Sequence, residues 1–212
     1  LDEIMTPEML AAMEKLQEAM EEMDPQKMLD ALEDFEFDLA AFEEQLDRFI
    51  EMFELAMAEQ KMDELQTRME QLFDQQQSLD QEINQTNEQT DRSTLKRLEQ
   101  EEKRNLEEFE NLKSLMEEAS ELVEDYSQKT SDDLSELAES PLREQTKSSL
   151  METMKNLSQQ NLQQSQNSSE QSLDNMQMMM QELMQMQQQF QQETVAEMTE
   201  KFQALMQDML YL

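Results

Sequence analysis

The chain has 212 residues, and its 16 Lys and Arg against 51 Asp and Glu give a formal net charge of −35. It holds no glycine, cysteine, histidine or tryptophan, which removes disulfides, thiolate and imidazole metal sites, Gly-rich phosphate loops and every nucleophilic triad built on His or Cys. With 37% hydrophobic and 5% aromatic residues and 22 Met, the composition is that of long helices with much exposed surface rather than one compact core.

Without glycine, turns fall to Pro, Asp, Asn, Ser and Thr. Thr6-Pro7, Asp24-Pro25 and Ser140-Pro141 each set a capping oxygen before a proline at the first helical position, where the missing N–H costs nothing. Helices are therefore predicted to begin near residues 7, 25 and 141. Asp38, after Phe35 and Phe37, is placed to cap a fourth, and Asp91 or Ser93 a fifth, following the polar run from Asn84 to Thr90. A weaker break is expected at Lys129-Thr130-Ser131. The predicted organisation is a short N-terminal helical hairpin over 1–37, long antiparallel coiled-coil helices over 38–139, and a Gln/Met-rich C-terminal helix over 140–212.

Within these segments apolar residues recur at alternating steps of three and four, the spacing of a helical stripe that forms a coiled-coil seam when sustained. Leu39, Phe42, Leu46, Phe49, Phe53 and Ala56 follow one register; Met62, Leu65, Met69, Leu72, Gln76, Leu79 and Ile83 follow another. The phase jump predicts a distortion or an exchange of partners between Ala56 and Met62. Next come Leu95, Leu98, Phe109, Leu112, Met116, Ala119, Val123 and Tyr126, interrupted by Glu102 and Asn105, two polar positions expected to weaken the seam. The last segment has Leu150, Met154 and Leu157, then a polar tract from Ser158 to Ser172 with Leu162 as its one large apolar residue. The stripe resumes at Leu173, Met176, Met180, Leu183 and Phe190 and continues through Val195, Met198, Phe202, Leu205, Met209 and Leu212. Sustained period-two alternation is missing. The predicted fold is all-α, with elongated antiparallel helical hairpins or a coiled-coil bundle.

Paired carboxylates such as Glu43-Glu44, Glu101-Glu102, Glu107-Glu108 and Asp132-Asp133 could in principle bind metals or act as acid and base. Their expected role is a solvated helix face, since a bundle di-iron site needs histidine and an EF-hand loop needs glycine. No metal, cofactor or catalytic residue is expected. Met176, Met178, Met179, Met180, Met184 and Met186 crowd one helix, where thioethers can serve as adaptable packing, as a partner-binding surface, or as Cu(I) ligands. The candidate interaction surface is Met176, Met179, Met180, Leu183 and Phe190. No Lys or Arg occurs from Asn156 through Glu200, so the Gln-rich tract is expected to be a helix of marginal stability.

Strong acidity argues against nucleic acid and against anionic membrane surfaces, because phosphates require Lys and Arg. No stretch has the roughly 18–20 consecutive apolar residues of a spanning helix. The chain opens on Leu1 and closes in mid-pattern on Met209-Leu210-Tyr211-Leu212, and is read as a soluble internal piece of a longer protein.

The run Thr6-Pro-Glu-Met-Leu-Ala-Ala-Met-Glu-Lys-Leu-Gln-Glu-Ala-Met, then Asp24-Pro-Gln-Lys-Met-Leu-Asp-Ala-Leu-Glu-Asp-Phe and Phe42-Glu-Glu-Gln-Leu-Asp-Arg-Phe-Ile-Glu-Met-Phe, resembles the coiled-coil portion of very large envelope proteins of Bacteroidetes-type bacteria. Glu59-Gln-Lys-Met-Asp-Glu-Leu and the close from Phe202 to Leu212 extend the likeness over most of the chain. That family is a domain of unknown function whose members resemble membrane-anchored proteins with N-terminal hydrophobic segments and a long extra-membrane helical region. The resemblance implies a bacterial cell envelope location on the periplasmic side, a membrane reached only through segments outside this chain, and no catalytic residues. The expected function is a non-enzymatic scaffold or protein-protein interaction module, engaging protein partners or itself through apolar stripes. The alternative is a chaperone-like binder that uses the Met-rich helix.

Overall fold

The computed structural model describes the backbone of residues 25–210 and the side chains of 46–195 together with Thr199. The predicted helix near residue 7 lies outside that range. The fold is all-α, with no strand among the described residues: α1 (Pro25–Asn84), α2 (Arg92–Val123), α3 (Gln128–Ala138), α4 (Pro141–Ser158) and α5 (Leu162–Leu210). By compactness the chain divides into two units, one spanning Leu55–Thr194 and the other comprising Leu1–Glu54 with Val195–Leu212.

The caps explain where helices start. Asp91 accepts from the backbone N–H groups of Ser93 and Thr94 at 2.9 Å each and from both their hydroxyls, and this convergence of donors, led by the Ser93 hydroxyl, holds its carboxyl well below the usual range. Ser140 accepts from the Arg143 N–H at 3.1 Å with Pro141 in the first turn of α4. Ser127, rather than the expected Lys129-Thr130-Ser131, marks the start of α3, accepting from the Thr130 N–H at 3.2 Å. No helix begins at Asp38. A single helix runs from Pro25 past it, because nothing around Phe35-Glu36-Phe37 interrupts helical hydrogen bonding.

The expected single helix from Pro141 to the C-terminus is instead two helices joined by a tight turn. Gln160 takes a left-handed conformation, φ 62°, and the turn closes with Gln160 N–H to Leu157 C=O at 3.1 Å and Asn161 N–H to Asn156 C=O at 2.9 Å. This is the Schellman pattern, in which glycine usually takes the left-handed position. A chain without glycine fills it with glutamine and so hides the turn from a sequence reading.

The unit Leu55–Thr194 is a four-legged bundle in which α3 and α4 together form the third leg. On α1 and α2 the hydrogen-bonded partners advance in opposite directions, from Lys61 with Glu118 to Gln76 with Glu102 and Glu82 with Arg97, so the two legs are antiparallel. Ser120 with Ser131, Lys113 with Glu139 and Glu110 with Lys147 set α2 against the third leg. Thr153 with Ser168 and Lys129 with Gln189 set the third leg against α5. Gln76 with Ser172 and Thr194 with Glu59 close α5 onto α1.

On α1 the bundle-facing stripe reads Leu55, Ala58, Met62, Leu65, Met69, Leu72, Gln76, Leu79 and Ile83. The bundle-facing register thus already holds at Leu55, ahead of the predicted interval, and Ala56 is exposed. Leu79, Ile83, Leu95, Leu98 and Leu157 form one apolar cluster, with Leu162 against it. Each large side chain buried in this way contributes about 1.5–3 kcal/mol. The tract from Ser158 to Ser172 is not a gap in the seam. Ser165, Ser168, Ser169 and Ser172 are buried, and Ser165, Ser168 and Ser172 donate to backbone carbonyls of their own helix, at 2.7 Å, 2.9 Å and 2.7 Å. Small hydroxyls that satisfy themselves within the helix can line a core that larger polar groups could not.

Candidate functional site

The polar seam positions of α1 and α2, Gln76, Glu102 and Asn105, meet inside the bundle with Ser172 of α5. Gln76 and Glu102 are fully buried, Ser172 equally so, and Asn105 nearly so. The Gln76 amide N–H₂ donates to Glu102 Oε2 at 3.1 Å and to Ser172 Oγ at 3.3 Å, while its Oε1 accepts from Asn105 Nδ2 at 2.7 Å. One glutamine therefore ties three legs of the bundle together, using donor and acceptor at once.

Glu102 is the unusual member. Burial in a low-dielectric interior disfavours its charged form above all, the Gln76 hydrogen bond opposes the rise and the negative charge of Asp80 on α1 adds to it, and together they push the carboxyl up to about 8. Asp80 lies one turn along α1 from Gln76, is buried, and receives Asn84 Nδ2 on Oδ2 at 2.8 Å, whereas its Oδ1 has no hydrogen-bond partner. At neutral pH the layer consequently holds a proton that a surface glutamate would have released. Outside it, an open groove of about 460 Å³ between α1 and α2 has Asn105 in its wall beside Arg104, Glu82, Glu101 and Glu108.

A buried cation sits two turns away along α2. Arg143 stacks over the Phe109 ring at 5.7 Å and pairs with Glu144 at 2.9 Å, with its Nε left without a hydrogen-bond partner. Among the described residues no group of three or more Asp, Glu, His or Cys could hold a metal ion. Chemically the polar layer can store one proton and fix helix register.

The carboxylate pairs divide. Glu107, Glu108 and Asp132 are exposed, and Asp133 is half-buried and paired with Lys129. The expectation of a solvated face fails for Glu102: neighbours on a helix point about 100° apart, so Glu101 turns outward to Arg97 at 2.9 Å while Glu102 turns into the core. The side chains of Glu43 and Glu44 lie outside the described residues.

Of the five candidate interaction residues, Met176, Met179, Leu183 and Phe190 are buried in the bundle and Met180 is half-buried. Met179 rather than Met180 carries the fully buried position, with the Thr146 hydroxyl 3.8 Å from its sulfur. Met178 and Met184 of the same helix are exposed. The polar layer itself was visible in outline: Gln76, Glu102 and Asn105 all occupy seam positions, and a hairpin folded at residues 85–91 sets them opposite one another. No family model, curated protein or solved structure matches the chain.

Proposed function

We propose that the chain is a non-enzymatic helical scaffold or protein-interaction module of a bacterial envelope protein, on the periplasmic side. The likeness to long extra-membrane helical regions supports the location, and no helix among the described residues is long and apolar enough to cross a membrane. The observation that carries the interaction reading is an apolar face of α1 on which Leu46, Phe49, Ile50 and Phe53 are all exposed. Scattered exposed apolar residues are ordinary on a protein surface, but four at helical spacing make a contiguous patch of the kind that marks a contact surface. The acidic surroundings keep such a patch in solution.

The test is site-specific photocrosslinking in the cell that makes the protein. A photoreactive residue at Phe49 should give adducts of discrete mass, and the same residue at exposed Gln75 should not. Equal labelling at both positions, or none at Phe49, removes the scaffold reading. A chaperone-like role is favoured by Met178 and Met184 of the Met-rich helix, whose flexible side chains are exposed. It requires that the chain suppress aggregation of an unfolded client and that Met178→Gln abolish the suppression without moving the melting temperature.

A further inference from the structure

We propose that the face of α1 formed by Leu46, Phe49, Ile50 and Phe53 docks a basic amphipathic helix of another protein. This rests on the interaction reading above and names the partner's chemistry.

The steps of three, one and three put these four side chains on one face over about two helical turns, roughly 11 Å of helix. They are 48%, 57%, 46% and 62% exposed, so two phenylalanines and two aliphatic residues offer a large share of their surface to a partner. A stripe of this shape matches the apolar face of a second helix, whose own residues at i, i+3, i+4 and i+7 would fill the spaces between them.

The charge beside the stripe selects the sign of the partner. Asp47 and Glu54, both exposed, stand seven residues apart along the same edge, and Glu51 lies beyond them. From Lys27 to Lys61 the chain contains one intervening cation, Arg48, against eleven Asp and Glu, and Arg48 is half-buried and already engaged. A second copy of the chain would bring its own Asp47 and Glu54 to the same edge and another −35 formal charges, so self-association opposes itself electrostatically. An anionic lipid surface is repelled for the same reason. A helix with Lys or Arg beside its apolar face gains on both counts: its charged heads meet Asp47 and Glu54 while their methylene stems cover the phenylalanine edges.

The experiment titrates the full chain into a labelled synthetic 18-residue helix of leucines at i, i+3, i+4 and i+7 flanked by lysines, read by fluorescence anisotropy. A scrambled peptide of identical composition measures the general attraction of a strongly acidic chain for any polycation. The amphipathic peptide should bind at least tenfold more tightly than the scrambled one. Phe49→Ser with Phe53→Ser should erase that advantage with unchanged far-UV circular dichroism, the residues being exposed. Asp47→Asn with Glu54→Gln should weaken binding severalfold and flatten its salt dependence, while Glu107→Gln with Glu108→Gln on α2 should do neither. Equal binding of the two peptides, or equal loss from the α1 and α2 charge variants, overturns the proposal. So does a concentration-dependent dimer in sedimentation equilibrium that Phe49→Ser with Phe53→Ser dissolves, or stripe-dependent binding to phosphatidylglycerol vesicles. Discrete adducts at Phe49 together with failure of the peptide would leave the interaction reading standing and refute the basic-helix partner alone.

Discussion

Replacing Glu102 by Gln probes the proton held in the bundle. The folded chain keeps this carboxyl protonated up to about 8, whereas in the unfolded chain it releases its proton near the ordinary value of 4.5. The folded state therefore binds more protons between those two values, and stability falls as pH rises across that window, levelling off above about 8. At 1.36 kcal/mol per tenfold change, the full window is worth about 4–5 kcal/mol, and the part between pH 6 and 8.5 about 2–3 kcal/mol. Most surface carboxylates have finished titrating by pH 6, so the wild type and Glu102→Gln differ in that upper range by this one group. Gln keeps the shape and a hydrogen-bonding end while removing the charge. Urea unfolding followed by far-UV circular dichroism at pH 6.0, 7.0, 7.8 and 8.5 should show the wild type losing roughly 2–3 kcal/mol and the variant staying nearly level. Parallel curves for the two proteins would refute the buried-proton argument, since the loss would then belong to the general charge of the chain.

Leu183→Asp should lower stability by at least about 3 kcal/mol, through the lost buried side chain and the charge placed in the core, whereas Met178→Gln, on an exposed residue of the same helix, should stay within about 0.5 kcal/mol in the same thermal melts. Gln160→Gly should raise stability by about 0.5–1 kcal/mol, because glycine takes the left-handed position between α4 and α5 without a Cβ clash; a melting temperature below the wild type would contradict the Schellman assignment.

The sequence was most readable where a residue type has one mechanical use. Proline after a capping side chain located the starts of α1 and α4, and Asp91 announced α2. It was least readable where common signals were missing or reused. The turn at Gln160 has no glycine to mark it. The serines from Ser165 to Ser172 look like a solvent-facing tract, yet they are buried, with Ser165, Ser168 and Ser172 bonded to carbonyls of the preceding turn. Apolar periodicity flagged Leu183 and Phe190 correctly as seam positions, but it could not separate Met179 from its neighbour Met180, since a helix of consecutive methionines has no polar residue to fix the phase. Glu102 was noticed as an interruption. What periodicity does not supply is the identity of the partner across the seam, and here Gln76 turns an interruption into a satisfied layer.

The order of the legs bears on how the chain finds its structure. Each leg lies against the one next in sequence, so three of the four seams close over short loops, and such local topology favours rapid folding. The fourth joins α5 to α1 across 96 residues at Gln76 and Ser172 and 135 at Thr194 and Glu59, and the entropy of closing so long a loop makes it the last to form. A seam of leucines alone would accept that late arrival one turn too high or too low. The Gln76 amide reaches Ser172 across this seam, so the residue that interrupts the apolar stripe of α1 gives the closing helix a directional contact that a leucine could not.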